Sequence, residues 1–310
     1  MSDVLVTAAD KHYGYHALNL IGSVKRNSDV FERIEVFDLG LEHRQRELLA
    51  AVPGVVVRTV PAFVPHWSQC FTWKPWTWQQ VDADRVFYVD AGATVLRSLA
   101  PALAQVDELG YFFVSQGNRL DDIVPADYFE LYGLQTTLAA RPYVAAGILG
   151  FDPRSRAFDR VFAPTYADCL EGRNLGYSPA EVMVKNRGLG FMQDPPLRNC
   201  PQFRWDQTVL NIHLALELPD ARIGDLDEYG GWRSRRDHPN QVIWNHRRRG
   251  DLLYLPRVPY RGRTRVSGTI FGAFYALRWW FKLRERFRRK ETYILKARSL
   301  VRRSAAPPIT

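Results

Sequence analysis

Two acidic residues stand where a folded chain can put a carboxylate to work. Asp90 ends the apolar run Val86-Phe87-Tyr88-Val89 and is followed by Ala91-Gly92. A run of that kind reads as a buried strand, and it delivers its last residue to the carboxyl edge of a sheet, where α/β proteins bind ligands. Asp206 opens the segment Asp206-Gln207-Thr208-Val209-Leu210-Asn211-Ile212. Val209, Leu210 and Ile212 supply a helical apolar face, and a carboxylate at a helix start is favoured by the dipole. His246 follows the apolar segment Val242-Ile243-Trp244, and Lys74 precedes Pro75 among Trp73, Trp76 and Trp78. Carboxylates, an imidazole and an ammonium at element ends could hold a diphosphate, directly or through a divalent ion.

Positioning these groups requires a sheet. Strand-like runs fall at 4–8, 34–39, 55–60, 86–90, 111–115, 147–151 and 241–244, with helical patterns at 17–24, 45–51, 75–81 and 155–171 between several of them. Such alternation predicts an α/β fold with a mostly parallel sheet and flanking helices. The segment 172–203 carries Pro179, Gly188, Gly190, Pro195, Pro196 and Pro201, and reads as a lid or an acceptor-side insertion. No internal repeat and no low-complexity tract is present.

In their order and spacing, several pieces carry a family resemblance. They are Leu5-Val6-Thr7-Ala8-Ala9-Asp10, Val36-Phe37-Asp38-Leu39-Gly40-Leu41, Trp73-Lys74-Pro75, the Asp90 strand, Ala146-Gly147-Ile148-Leu149-Gly150-Phe151, Asp206-Gln207 and His246. Over roughly residues 3 to 255 the chain resembles the nucleotide-sugar glycosyltransferases of the GT-A fold, particularly the glycogenin-like and galactosyltransferase-like group. The resemblance implies a Rossmann-like catalytic domain over 1–262, a nucleotide diphosphate sugar as donor, a glycan or lipid-linked acceptor, and retention of anomeric configuration. It implies Asp206 and Gln207 as the catalytic pair at the sugar. It also implies Thr7, Asp10, Lys74, Asp90, Gly92 and Gly147 around the donor, with Asp90 and His246 on Mn²⁺ or Mg²⁺. Asp10 reads equally as a turn residue or cap, Gly147 as relief of strand crowding, and His246 as a structural histidine.

One position departs from the family pattern. There the strand ends in Asp-x-Asp, two carboxylates projecting to one side of an extended chain; here the second position is Gly92. Either Asp90, Asp206 and His246 hold the metal, or cations take its place, with Arg247–Arg249 among the candidates. Gly92 also keeps open a non-catalytic member that binds a nucleotide sugar or scaffolds partners. A sugar nucleotidyltransferase is a further alternative, but the first strand leads into Thr7-Ala8-Ala9-Asp10-Lys11 and not into a glycine-rich, arginine-bearing loop.

Composition sets the outer bounds. A length of 310 residues with 46% hydrophobic content suffices for a large α/β domain. Cys70, Cys169 and Cys200 form no CxxC pair and make an odd number, against a disulfide framework or a structural zinc site. The amino terminus carries no basic region followed by an apolar core, so the cytoplasm is the expected compartment. Charge is concentrated at the other end. Residues 278–303 hold eleven Lys or Arg against Glu285 and Glu291, equal to the whole formal net charge of +9. Ala276, Trp280, Leu283 and Phe287 keep helical spacing there. Residues 263–310 therefore read as a basic amphipathic tail suited to an anionic membrane surface, or as a helix packed on the body with a solvated face. Arg278 and Lys282 interrupt the apolar stretch, which is too short to span a bilayer. No nucleic-acid-binding module accompanies the arginines, so nucleic acid is not an expected partner. Polysaccharide biosynthesis at the membrane would unite tail and site.

Overall fold

The computed structural model describes residues 2–175, 204–231 and 240–246, together with 252, 254, 255 and 258. The basic tail, Arg247–Arg249, Cys200 and most of the loop-rich segment, 176–203, lie outside the described residues, as does the proposed domain boundary at 262/263. In chain order the strands are β1 (Asp3–Ala9), β2 (Arg33–Asp38), β3 (Val55–Thr59), β4 (Arg85–Val89), β5 (Thr94–Val95), β6 (Tyr111–Arg119), β7 (Pro142–Phe151), β8 (Ile223–Gly224) and β9 (Ile243–Trp244). The helices are α1 (Gly14–Asn27), α2 (His43–Ala50), α3 (Trp73–Gln79), α4 (Ala100–Leu109), α5 (Leu120–Ile123), α6 (Ala126–Leu131), α7 (Ala163–Leu170), α8 (Asp206–Glu217) and α9 (Leu226–Tyr229).

Seven strands form one sheet in the order β3-β2-β1-β4-β7-β6-β8, and β5 pairs with β9 in a small second sheet. The α/β architecture is the one the sequence predicts, and most pairings are parallel: β1 with β2 and β4, β2 with β3, and β6 with β8. The strand β7 is the exception, running antiparallel to both β4 and β6. Its reversal brings its middle, around Gly147, to the carboxyl end of β4. The helical pattern predicted over 155–171 is also refined, since a π-helical turn at Phe158–Phe162 precedes α7.

Why these runs become central strands follows from what covers them. All seven residues of β1 are buried, because β2 and β4 flank it and helices cover both faces. On one face Leu5, Ala9, Phe87 and Val89 pack with Ala17, Leu18, Ile21 and Leu103 from α1 and α4. On the other, Val4, Val6, Val86 and Tyr88 pack with Trp78 of α3, Phe162, and Leu210 and Leu214 of α8. Each large apolar side chain buried this way contributes about 1.5–3 kcal/mol. Side chains alternate along a strand, so Asp90, two residues beyond Tyr88, continues the face that α3 and α8 cover. Asp206 precedes Leu210 and Leu214 by one and two turns and shares their side of α8.

Candidate active site

The carboxyl end of β4 meets the beginnings of α3 and α8 in a charged cluster. Lys74 Nζ lies 3.1 Å from Asp90 Oδ1 and 4.0 Å from Asp206 Oδ2. The Tyr88 hydroxyl donates to the same Asp90 Oδ1 at 2.9 Å. The ammonium also faces the rings of Phe71, Tyr88 and Trp73 at 5.2, 5.3 and 5.7 Å from their centroids. Such rings attract a cation through their quadrupoles, which partly replaces lost hydration. Lys74 and Asp206 are buried, whereas the Asp90 side chain keeps 40% exposure and is the member that a ligand reaches.

Burial and charge set the protonation of the cluster. Desolvation pushes the Asp206 carboxyl up to about 7, against the downward pull of Lys74, and Asp90 adds to the rise. Burial alone would lower the Lys74 ammonium, but Asp90 and Asp206 together outweigh it and hold the ammonium above its ordinary range. Burial, followed by the Asp90 charge, raises the Tyr88 phenol well above its usual value, so it remains a donor. Desolvation likewise pushes the Cys70 thiol up to about 12 and raises that of Cys169; both are buried free thiols and poor nucleophiles.

Backbone strain gathers at the same place. Among the described residues, the non-glycine residues with positive φ are Cys70 (47°), Phe71 (60°) and Trp205 (53°). They immediately precede α3 and α8, and the Phe71 and Trp205 rings touch with centroids 5.5 Å apart. Side-chain bonds fix the first of these turns: Asn174 Nδ2 donates to Cys70 O at 3.0 Å and to Thr72 Oγ1 at 2.8 Å. Left-handed conformations at non-glycine residues persist where surrounding structure over-determines them, and they cluster at functional sites.

Gly147 completes the wall. Its carbonyl accepts from Asp90 N at 2.8 Å, and a Cβ at this position would fall 2.3 Å from Asp90 Oδ2. No side chain other than hydrogen leaves the Asp90 carboxylate where it is. Gly92 sits in the turn closed by Ala93 N donating to Asp90 O at 3.0 Å.

Four other candidate residues take different places. The Gln207 amide donates to Val144 O at 2.8 Å and to Gln116 Oε1, clipping α8 to β7 and β6. Asp10 Oδ1 accepts from His12 N and Tyr13 N at 2.8 and 3.0 Å, closing the turn into α1. Thr7 is fully buried, with no hydrogen-bond partner for its hydroxyl, and its place between Leu5 and Ala9 puts it on the α1 face. His246 Nε2 lies 2.8 Å from Thr94 Oγ1, which accepts from Asn19 Nδ2 of α1 at 2.9 Å. Its ring also neighbours His16 of α1.

The site contains supporting residues that were not singled out from sequence. Tyr88 is one, legible from strand alternation as the neighbour of Asp90 on one face. Asn211 is another: its Oδ1 accepts from Val144 N at 2.7 Å and its Nδ2 donates to Val144 O at 2.9 Å. A buried asparagine inside an apolar helical face was the available signal, because such a group needs a partner.

A divalent ion needs several accessible oxygen or nitrogen donors turned to one point. Asp90, Asp206 and His246 do not present that: an ammonium stands between the carboxylates, and the imidazole is committed to Thr94. Among the described residues, no group of three or more His, Cys, Asp or Glu side chains is arranged to hold a metal ion.

No protein-family model matches the chain, and no curated protein matches it. Solved structures similar to it include the galactosyltransferase LgtC in complex with donor and acceptor sugar analogs. That match has 16% identity and a TM-score of 0.44, covering 78% of this chain and 86% of that one. The bifunctional glycosyltransferase WbbM, in its apo structure, is similar at 16% identity and a TM-score of 0.47 over 77% of this chain; the match spans 42% of WbbM. Mouse xyloside xylosyltransferase 1, apo form, matches at 9% identity and a TM-score of 0.46, covering 79% of this chain and 96% of that one.

Proposed function

We propose that this chain is a glycosyltransferase of the GT-A type that moves a sugar from a nucleotide diphosphate donor to a hydroxyl of a glycan or lipid-linked acceptor. The observation that carries this reading is the Lys74–Asp90–Asp206 cluster at the carboxyl end of β4, where the sheet passes from parallel β1 to antiparallel β7. Between β1 and β4 the strand order also reverses, and such a switch point opens a crevice at the carboxyl edge.

In the reaction the anomeric C–O bond to the diphosphate breaks and the acceptor oxygen bonds to the same carbon. The acceptor proton passes to a departing phosphate oxygen when the configuration is retained, the outcome that the motif resemblance implies. Positive charge grows on the sugar as the bond breaks. Asp206, poised between neutral and ionised near pH 7, supplies a buried negative charge for it. Lys74 holds the Asp90 carboxylate in place, and the half-exposed Asp90 accepts hydroxyl hydrogens of the donor.

Thermal unfolding against nucleoside diphosphates and their sugars tests the reading. One base should stand out, since a ligand at 100 times its Kd adds about 2.7 kcal/mol. Released nucleoside diphosphate must then appear with acceptor present. Stabilisation without release would leave a sugar-nucleotide binder, and the absence of any stabilising nucleotide would end the proposal.

Gly147→Ala is expected to lower turnover on the order of 100-fold, because a methyl group displaces the Asp90 carboxylate by an ångström or more. Circular dichroism should show the fold intact, so unchanged turnover would remove Asp90 from the site.

The tail extends the proposal to a peripheral membrane location. No helix among the described residues is long and apolar enough to cross a membrane. The +9 charge of 278–303 supports attachment to anionic lipid, and the full chain should sediment with anionic vesicles and be released as salt rises. Binding that survives deletion of 263–310 would contradict this.

A further inference from the structure

We propose that donor binding at this site is independent of divalent metal, because the Lys74 ammonium holds the place between the carboxylates that a metal ion would need. The inference rests on the reading of the site as one for a nucleoside diphosphate sugar, and it names which cation that site uses.

The donors that could ligate an ion do not converge on an open point. Asp90 Oδ1 receives both the Lys74 ammonium at 3.1 Å and the Tyr88 hydroxyl at 2.9 Å. Its Oδ2 lies against the Gly147 backbone, so close that a methyl group there would overlap it. Asp206 is 2% exposed, with Oδ2 directed to the ammonium at 4.0 Å. A divalent ion sits about 2.0–2.6 Å from its oxygens and keeps six or more ligands, several of them water in the case of Mg²⁺. That shell does not fit between two carboxylates already bridged by an ammonium packed under three aromatic rings. A dication would also have to approach a fixed positive charge within a few ångströms.

Among the described residues, the remaining candidates do not restore a site. Gly92 contributes no side-chain ligand, and His246 Nε2 belongs to a chain of contacts through Thr94 to Asn19 on the α1 side. Taking it for a metal would leave the buried Thr94 hydroxyl without that partner. An ammonium differs from a metal ion in being tethered, so it is present in every molecule whatever the metal supply.

The test is titration calorimetry of the full wild-type chain with UDP, GDP, ADP and CDP, once with 1 mM EDTA and once with 1 mM MnCl₂, alongside electron paramagnetic resonance of Mn²⁺ added to the protein alone. The best nucleotide should bind with a Kd that differs less than threefold between the two buffers, and the Mn²⁺ signal should stay that of the free ion below millimolar protein. A tenfold or greater gain in affinity with Mn²⁺, or bound Mn²⁺ in the absence of nucleotide, would overturn the inference while leaving the nucleotide site standing. Absence of binding by every nucleotide in both buffers would sink the reading of the site itself, and the inference with it.

Discussion

Lys74→Met is expected to lower stability by about 3 kcal/mol at pH 8, to cost distinctly less at pH 5, and to abolish sugar transfer. Methionine approximates the lysine stem, so the packing against Phe71, Trp73 and Tyr88 survives and the charge alone is removed. Removing one member of a buried ion pair typically costs about 3–5 kcal/mol, because the other charge is left uncompensated. The lower end applies here, since Asp90 retains contact with water and with the Tyr88 hydroxyl. Asp206 explains the pH dependence. Its carboxyl stands near 7 with the ammonium pulling it down, so without the ammonium it holds its proton to still higher pH. At pH 5 it is neutral in the variant and little charge remains uncompensated. Thermal melts at the two pH values measure the effect, with a fall of roughly 6–12 °C expected at pH 8 from about 2–4 °C per kcal/mol. A melting temperature within 2 °C of wild type at pH 8 would mean that the ammonium does not bridge the carboxylates.

That bridge was only half legible in the sequence. Apolar runs located the central strands, and with them Asp90, because a buried strand must end in a residue that can turn out of the sheet. Asp206 was legible as the first residue of a helix, and Lys74 as a cation held beside Pro75. Their convergence was not, since it depends on α3 and α8 covering the same face of β4, a fact of tertiary packing. The reversed direction of β7 was equally hidden: a buried strand reads alike in either direction, yet only the antiparallel one sets Gly147 against Asp90. Local context also cannot say on which side of a sheet a residue falls. His246 and Asp90 both follow short apolar segments, but the pairing of β5 with β9 carries the histidine toward Thr94 and α1. The helix α4 was overlooked despite two signals, Pro101 in its first turn and Gly110 in a left-handed cap at φ 79°. The two-residue strands β5 and β8 offered no periodic signal at all.

Asp206→Asn is expected to do the opposite of Lys74→Met for stability while sharing its effect on activity. In the folded chain the Asp206 carboxyl titrates near 7 against an ordinary value of 3.8, so the native state binds a proton that the unfolded chain releases between those values. Stability from this group is therefore greatest below pH 4 and declines as pH rises to 7, by roughly 2–4 kcal/mol over the window. The raised Lys74 ammonium acts in the other range: its contribution is complete below 10.5 and is lost only as pH climbs through its higher folded value. Between pH 5 and 8 the difference between wild type and variant thus isolates Asp206. The asparagine chain should equal wild type near pH 5 and exceed it by about 1–3 kcal/mol at pH 8, since a neutral isostere avoids the cost of a buried charge. Urea denaturation at the two pH values reads this directly, and a variant less stable than wild type at pH 8 would contradict it. Turnover should fall by on the order of 100-fold or more, because the amide brings no charge to the developing positive centre. A buried carboxylate that weakens the fold at working pH and the strained Trp205 beside it cost stability at two adjacent points, which the Lys74 ammonium offsets in part. Local costs concentrated at one sheet edge are the physical mark of a site kept for its chemistry.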